Sequence, residues 1–365
     1  MKFVRNYQLK PDMVLARDLH LFDSDTNKVL LLRKGVKLAK AHISKLMSIG
    51  ISGAFIRDGV GDDFELKTLL RDDEKIKAVL EIKDVFDNSL SGNAKVTDFE
   101  VQKVQDVANN LVESIMTNEG VRIGIGDLKS YDDYLYFHSL SVAVVSIAIG
   151  TEMKLPPEQL RKLGLAALLH DIGKTNISKE IINKPGTLTS AEFEEIKKHP
   201  KLGAEHLRES VLIDDDIILA VECHHERWDG SGYPYKLSGK VIPLFARIIA
   251  VADVYDALTS NRPYREPNQP NDAFEYIIGS AHVYFDGAVV DAFLRKIEPY
   301  PIGSVVRLSN GEVGIVINTF DELPLRPTVK IIKSGAVYDL QDVIRYRNLT
   351  ILGLYAEYET QVVDK

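Results

Sequence analysis

The sequence predicts a mainly α protein, with an all-α helical bundle between a small N-terminal α+β module and a small C-terminal β-barrel-like domain. Three observations carry this. Apolar residues recur at helical spacing through most of residues 64–298. Before about residue 60 and after residue 299 the chain changes to short β-branched runs separated by turn signals. At 365 residues it is too long for one average domain. The implied division is an α+β module at 1–60, a helical connector at 61–125, a helical domain at 126–298 and a β-rich domain at 299–365.

In chain order, Val14-Leu15-Ala16 and Val29–Leu32 read as strands, with Lys34-Gly35 as a turn. A helix follows over Ala41–Ser48 with Gly50 as its cap, and Gly53–Ile56 reads as a closing strand. His20 and His42 stand alone and read as surface or packing residues. Residues 64–118 form an amphipathic helical pair broken at Ser91-Gly92-Asn93. Such a pair packs on a core or dimerises; we read it as a lead-in with a role in self-association, giving a homodimer. Helical spacing then marks Tyr134–Ile149, Pro157–Leu169, Ala191–Lys198, Asp216–Glu226 and Leu244–Leu258, with Thr189 and Glu192 as a capping box. After Pro299-Tyr300-Pro301, Val305–Leu308 and Val313–Ile317 flank Asn310-Gly311, a hairpin signal, and further strands are expected at Thr328–Ile332 and Ile351–Tyr355.

The net charge of −8 argues against a partner that is a nucleic-acid polymer, although a local basic patch could still take a small anion. A single cysteine, Cys223, rules out an intramolecular disulfide and reads as a buried, inert thiol. Met1–Asn6 lacks the apolar core of a signal peptide, and the longest uncharged apolar stretch, Ser139–Thr151, is shorter than the roughly 20 residues of a membrane span. The expected location is cytoplasmic, with no membrane span.

The chemistry concentrates in one segment. His138, His170, Asp171, His199, His224, His225 and Asp253 all lie on or at the ends of predicted helices. Neutral imidazole and carboxylate form a mixed N/O set suited to divalent transition metals. Neighbouring side chains on a helix point about 100° apart, so His170-Asp171 at a helix end can reach one centre from two angles, and His224-His225 repeats the geometry. Any one of these histidines alone would read as a packing residue. Seven ligand-type residues on successive helices are harder to explain that way, because each buried imidazole would need its own hydrogen-bond partner. His206 lies outside any motif and is left out. Groups suited to a phosphate ester surround the set: Lys174, three residues after Asp171, and Arg262 and Arg265, held apart by Pro263. Asp229–Pro234, containing Gly232, Tyr233 and Pro234, could by composition be a plain surface turn.

His170-Asp171-Ile172-Gly173-Lys174, Lys184-Pro185-Gly186, His224-His225-Glu226, Asp229-Gly230-Ser231-Gly232-Tyr233-Pro234, Asp253–Ser260 and Arg262-Pro263-Tyr264-Arg265 resemble, in that order, the HD-GYP domain, over about 130–296. That family is a branch of the HD superfamily of metal-dependent phosphohydrolases. The resemblance implies an HD-type all-α bundle and hydrolysis of cyclic di-GMP to linear pGpG, often onward to GMP. It also implies a centre of two or three metals, commonly iron or manganese. By position it makes His138, His170, Asp171 and Asp253 ligands of one metal and Asp171, His199, His224 and His225 ligands of the other. Lys174 takes the place of a phosphate-contacting lysine, and Arg262 and Arg265 that of a substrate-binding basic pair. Gly232-Tyr233-Pro234 is associated there with substrate recognition and with docking of partners, GGDEF-type signalling proteins among them. Three-metal members carry a glutamate four residues before the first histidine; here that position is Tyr134, so two metals are expected. The first 60 residues resemble, more weakly, the small domain that often precedes HD-GYP domains.

The mechanism expected from this set is two-metal activation of a bridging hydroxide that attacks phosphorus in line, with Asp171 as bridge and Lys174, Arg262 and Arg265 balancing the charge. The sequence identifies no general acid. The alternatives are an HD phosphohydrolase for another cyclic dinucleotide or nucleotide, and a non-catalytic cyclic di-GMP receptor.

Overall fold

The computed structural model describes residues 2–22, 28–49, 51, 53–57, 70, 72–89, 97–118, 123–124, 134–182, 184, 186–260 and 268–355. The N-terminal part contains β1 (Lys2–Arg5), β2 (Val14–Leu15), β3 (Leu19–Phe22), β4 (Lys28–Leu32), α1 (Lys40–Ser48) and β5 (Gly53–Arg57). Strands β1, β5 and β2 form an antiparallel sheet in that order, and β3 pairs with β4. Leu15, Leu38, Leu46 and Ile56 close a small core of its own beneath α1. The expected cap at Gly50 lies outside the described residues, as does the break at Ser91–Asn93.

The lead-in helices are α2 (Asp72–Ser89) and α3 (Asp98–Thr117). Helix α3 starts at a reciprocal capping box: Thr97 Oγ1 accepts from Glu100 N, and Glu100 Oε2 accepts from Thr97 N. Val101, Val104, Ala108, Leu111, Val112 and Ile115 recur every three or four residues and are buried. They share one continuous core with the helices that follow, so the lead-in is packed on the bundle. A two-residue strand, β6 (Ile123–Gly124), leads on.

The bundle comprises α4 (Tyr134–Glu152), α5 (Pro157–Leu169), α6 (Lys179–Ile182), α7 (Ser190–Ile196), α8 (His199–Leu207), α9 (Asp215–Cys223), α10 (Leu244–Thr259), α11 (Pro270–Gly279) and α12 (Gly287–Lys296). From Ser139 to Gly150 every residue of α4 is buried, as expected of a helix apolar all round. It is the central rod, with α2, α3, α5, α10 and α12 packed around it. After α12, β7 (Ile297–Glu298) pairs in parallel with β6 and ties the end of the bundle to the lead-in. Among the described residues no helix is long and apolar enough to cross a membrane.

The helix boundaries differ from the sequence expectation where the site is built. The helix expected over Asp216–Glu226 ends at Cys223, and His224 is its C-cap. The run expected over Ala191–Lys198 stops at Ile196, and a second helix begins at His199, where Pro200 fits the first turn because its missing N–H would be unpaired there anyway. The C-terminal strands are β8 (Val305–Leu308), β9 (Val313–Asn318), β10 (Thr328–Ile331), β11 (Val337–Asp339) and β12 (Ile351–Leu354). They form one antiparallel sheet in the order β11-β10-β9-β8-β12. The Asn310-Gly311 turn joins β8 to β9, with Gly311 at φ +86°, a conformation that glycine adopts without strain. This sheet has its own core around Tyr300, Val306, Val316 and Val329.

Candidate metal centre

Five helices deliver the site. His138 projects from α4, His170 caps α5, Asp171 opens the 3₁₀ turn Ile172–Asn176, His199 begins α8, His224 caps α9 with His225 after it, and Asp253 lies in α10. Gly173 lets the 3₁₀ turn lie against α8: a methyl group there would come 2.0 Å from the His199 carbonyl oxygen and 2.5 Å from Gly203 N. The donor atoms gather as two groups, His138, His170 and Asp171 in one and His199, His224 and His225 in the other, each with its atoms within 4.8 Å of one another. Asp171 stands between them. Its Oδ2 lies 3.3 Å from His170 Nε2 and 3.7 Å from His138 Nε2, while its Oδ1 lies 3.2 Å from His199 Nε2. Asp253 Oδ1 lies 3.2 Å from His138 Nε2, and Asp253 Oδ2 lies 4.0 Å from His225 Nδ1.

The imidazole tautomers follow from what lies behind each ring. His170 Nδ1 is 2.7 Å from Ala167 O, His199 Nδ1 2.7 Å from Ile196 O, and His224 Nδ1 2.7 Å from Val221 O. A carbonyl only accepts, so each Nδ1 carries the hydrogen and each Nε2 turns a lone pair to the centre. These carbonyls belong to the last turns of α5, α7 and α9, whose C-terminal carbonyls lack helical partners. One bond thus satisfies a helix end and aims a ligand, and three helices end at a point where their negative poles favour a cation. His138 is held differently: Nδ1 donates to Asp256 Oδ2 at 2.7 Å, and Ser260 Oγ donates to Asp256 Oδ1 at 3.0 Å.

Without a cation this arrangement is frustrated. His199 Nε2 and His224 Nε2 lie 3.3 Å apart, yet with both Nδ1 hydrogens engaged neither has a hydrogen to give the other. His170 Nε2 and Asp171 Oδ1 are buried with no well-aligned hydrogen-bond partner among the described residues; His199 is close to Asp171 Oδ1 but outside hydrogen-bond geometry. Buried orphan acceptors of this kind are costly, and a cation would satisfy them together. The donor set therefore fits divalent metal. The charges agree: burial pushes the Asp171 carboxyl up, but Lys174 and then His170 outweigh it and hold Asp171 well below the usual carboxylate range. Burial likewise opposes ionisation of Asp253, and the His138 hydrogen bond reverses that. Burial, and then the neighbouring imidazoles, hold His224 neutral, and His225 is lowered to about 3 by burial and His199.

Asp256 is the residue that sequence reading did not assign. Its spacing of three from Asp253 on one helix was the available signal, since that places both carboxylates on one face. Replacing it by Asn offers His138 an amide donor or a weaker acceptor in place of the carboxylate. Asp256→Asn is expected to weaken metal affinity by roughly 10- to 100-fold, read by Mn²⁺ titration; an unchanged affinity would remove Asp256 from the site.

Lys174 sits on the 3₁₀ turn with Nζ 2.5 Å from Asp171 Oδ2. The loop after His225 returns over the site, and the Tyr233 ring stacks on the His225 ring at 4.8 Å between centroids. His206 is outside the cluster, its Nε2 3.2 Å from Ser89 Oγ. Cys223 is buried, and burial raises its thiol to about 12, which makes it a poor ligand. Arg262, Arg265 and Pro185 lie outside the described residues, as do Asp133 and the side chain of Tyr134.

The segment that carries this centre is similar to known proteins. Residues 128–289 match the model of the HD domain, and residues 305–347 that of the KOW domain associated with HD domain. Over 230 residues the chain is 37% identical to the cyclic di-GMP phosphodiesterase PA4108 of Pseudomonas aeruginosa, covering 63% of this chain and 55% of that one. Over 149 residues it is 44% identical to the cyclic di-GMP phosphodiesterase response regulator RpfG of Xanthomonas campestris pv. campestris, covering 40% and 39% of the two chains. The chain carries an HD-GYP domain. It spans about half the length of the curated relatives it matches. The fold of this HD-GYP protein also resembles the solved structure of Bd1817, a HDG"Y"P protein from Bdellovibrio bacteriovorus, with a TM-score of 0.50 at 20% identity, covering 80% of this chain and 97% of that one.

Proposed function

We propose that the chain is a metal-dependent phosphodiesterase that hydrolyses cyclic di-GMP to linear pGpG. The observation that carries this is Asp171, whose two oxygens face separate groups of inward-turned donors. The substrate assignment rests on the curated relatives, which are named for that activity. We assign His138, His170, Asp171 and Asp253 to one ion and Asp171, His199, His224 and His225 to the other, with two ions of iron or manganese per chain. Bound divalent ions would supply Lewis acidity, making water nucleophilic near neutral pH and offsetting charge on the phosphoryl oxygens. The chain's own residues orient that centre through the Nδ1 bonds, and Lys174 presents an ammonium beside it. Arg262 and Arg265 would meet the substrate's phosphates bidentately.

Anaerobically loaded protein, with Mn²⁺ or Fe²⁺, should convert cyclic di-GMP to pGpG, with GMP as the further product to assay. Turnover of another cyclic dinucleotide in its place would overturn the substrate, and binding without product would make the chain a receptor.

Metal binding should also release a proton. Burial lowers the His138 pKa, but hydrogen bonds to Asp253 and Asp256 more than compensate and raise it from 6.5 to about 9 in the ion-free protein. Below that value an ion must displace the Nε2 proton; above it none remains. Mn²⁺ affinity should therefore rise with pH, by up to about tenfold per unit, and level off above about pH 9. Calorimetry in buffers of different ionisation enthalpy reads the proton directly.

A further inference from the structure

Four of the five clustered imidazoles are oriented by a hydrogen bond at Nδ1, to Ala167 O, Ile196 O, Val221 O or Asp256. His225 is the exception. Neither of its ring nitrogens has a hydrogen bond among the described residues, and Asp253 Oδ2, at 4.0 Å from Nδ1, is beyond reach. It is also the most open of the five, with its side chain 26% exposed against 1–2% for His138, His170 and His199. A ring that turns about both χ1 and χ2, without a hydrogen bond among the described residues and partly solvated, would sample several orientations.

The loop that follows supplies what is missing. Tyr233 lies nearly parallel to His225, at 29° and 4.8 Å between centroids, and its backbone N donates to His225 O at 3.2 Å. Gly232 makes that approach possible: a methyl group there would lie 2.3 Å from Arg227 N, 2.5 Å from Glu226 Cα and 2.6 Å from His225 O, all backbone atoms that cannot step aside. The far side of the loop is pinned by buried Glu226, which accepts from Tyr235 N at 2.6 Å and Leu237 N at 3.0 Å. Glu222 adds a bond from the Tyr235 hydroxyl at 2.6 Å.

We infer that Gly232 and Tyr233 are positioning residues for the metal ligand His225, with Tyr233 stacking in place of the hydrogen bond that orients each of the other four rings and Glu226 anchoring the loop that carries it. The inference rests on His225 being a ligand, as proposed above. It gives the Gly-Tyr-Pro stretch a role in building the centre, separate from any contact with substrate.

Mn²⁺ titration of the full chain, paired with cyclic di-GMP kinetics, tests it. Tyr233→Phe keeps the ring and should bind Mn²⁺ with wild-type affinity. Tyr233→Ala and Gly232→Ala should bind one of the two equivalents about tenfold or more weakly while the other is unmoved, the size expected when a ligand's outer support is lost. Wild-type Mn²⁺ affinity in Tyr233→Ala, with only KM raised, would overturn the inference and leave the loop as a substrate contact. His225→Ala separates the two levels. If it loses one equivalent while Tyr233→Ala keeps both, the positioning role alone fails; if it too keeps both, the metal assignment has failed.

Discussion

Asp171→Ala should lose both metal ions and, with them, turnover. Asp171 sets one oxygen 3.3 Å from His170 Nε2 and the other 3.2 Å from His199 Nε2, one in each set of donors, so its loss removes a ligand from each ion. Because divalent ions supply several kcal/mol of transition-state stabilisation, cyclic di-GMP turnover should fall by roughly 10³-fold or more. The substitution also leaves Lys174 beside a buried imidazole cluster, which is destabilising in itself. Asp171→Asn controls for this by keeping the volume. Its single oxygen can serve one set of donors while its amide faces the other, so it should retain at most one ion. Elemental analysis after anaerobic loading is the measurement, and full metal content in Asp171→Ala would sink the bridging role.

Lys174→Ala should do the opposite, keeping both ions and losing most of the activity. Its side chain is 25% exposed and held on a short 3₁₀ turn whose start is fixed by Lys174 N donating to Asp171 O at 2.9 Å. It is no metal ligand, but a cation already placed at the edge of the centre. Removing one preorganised group of this kind costs about 10²–10³ in kcat. Loss of a metal ion in the same variant would make Lys174 a structural counterion to Asp171, and unchanged turnover would take it out of the reaction.

Much of this was legible because it depends on local pattern. The helix Pro157–Leu169 and its end at His170 followed from apolar spacing, and the β8–β9 hairpin from Asn310-Gly311. The capping box expected at Thr189 and Glu192 is present, with Glu192 N donating to Thr189 Oγ1 at 3.3 Å and Lys184 Nζ adding a contact to Glu192 at 2.7 Å. The six residues whose donor atoms the structure gathers, His138, His170, Asp171, His199, His224 and His225, were nameable beforehand, because metal chemistry draws on few residue types.

What the linear pattern could not contain is what one segment does to another. Periodicity carried the helix of His224 through Glu226, whereas the chain turns after Cys223 because Glu226 is engaged by the returning loop. Asp256 gained its role from a contact across 118 residues, and Gly232 its necessity from the backbone it lies against. Periodicity, turn chemistry and residue type are properties of the linear chain, and from them follow the fold class, the order of helical and β segments and which side chains are competent to bind metal. That Asp256 orients His138, and how Asp171 divides its oxygens between the two sets of donors, depend on the folded chain. Those are set by side chains brought together from distant parts of the chain, as His138 Nδ1 and Asp256 Oδ2 meet at 2.7 Å across 118 residues, and such a hydrogen bond has no signature in the spacing of residues that meet only after folding.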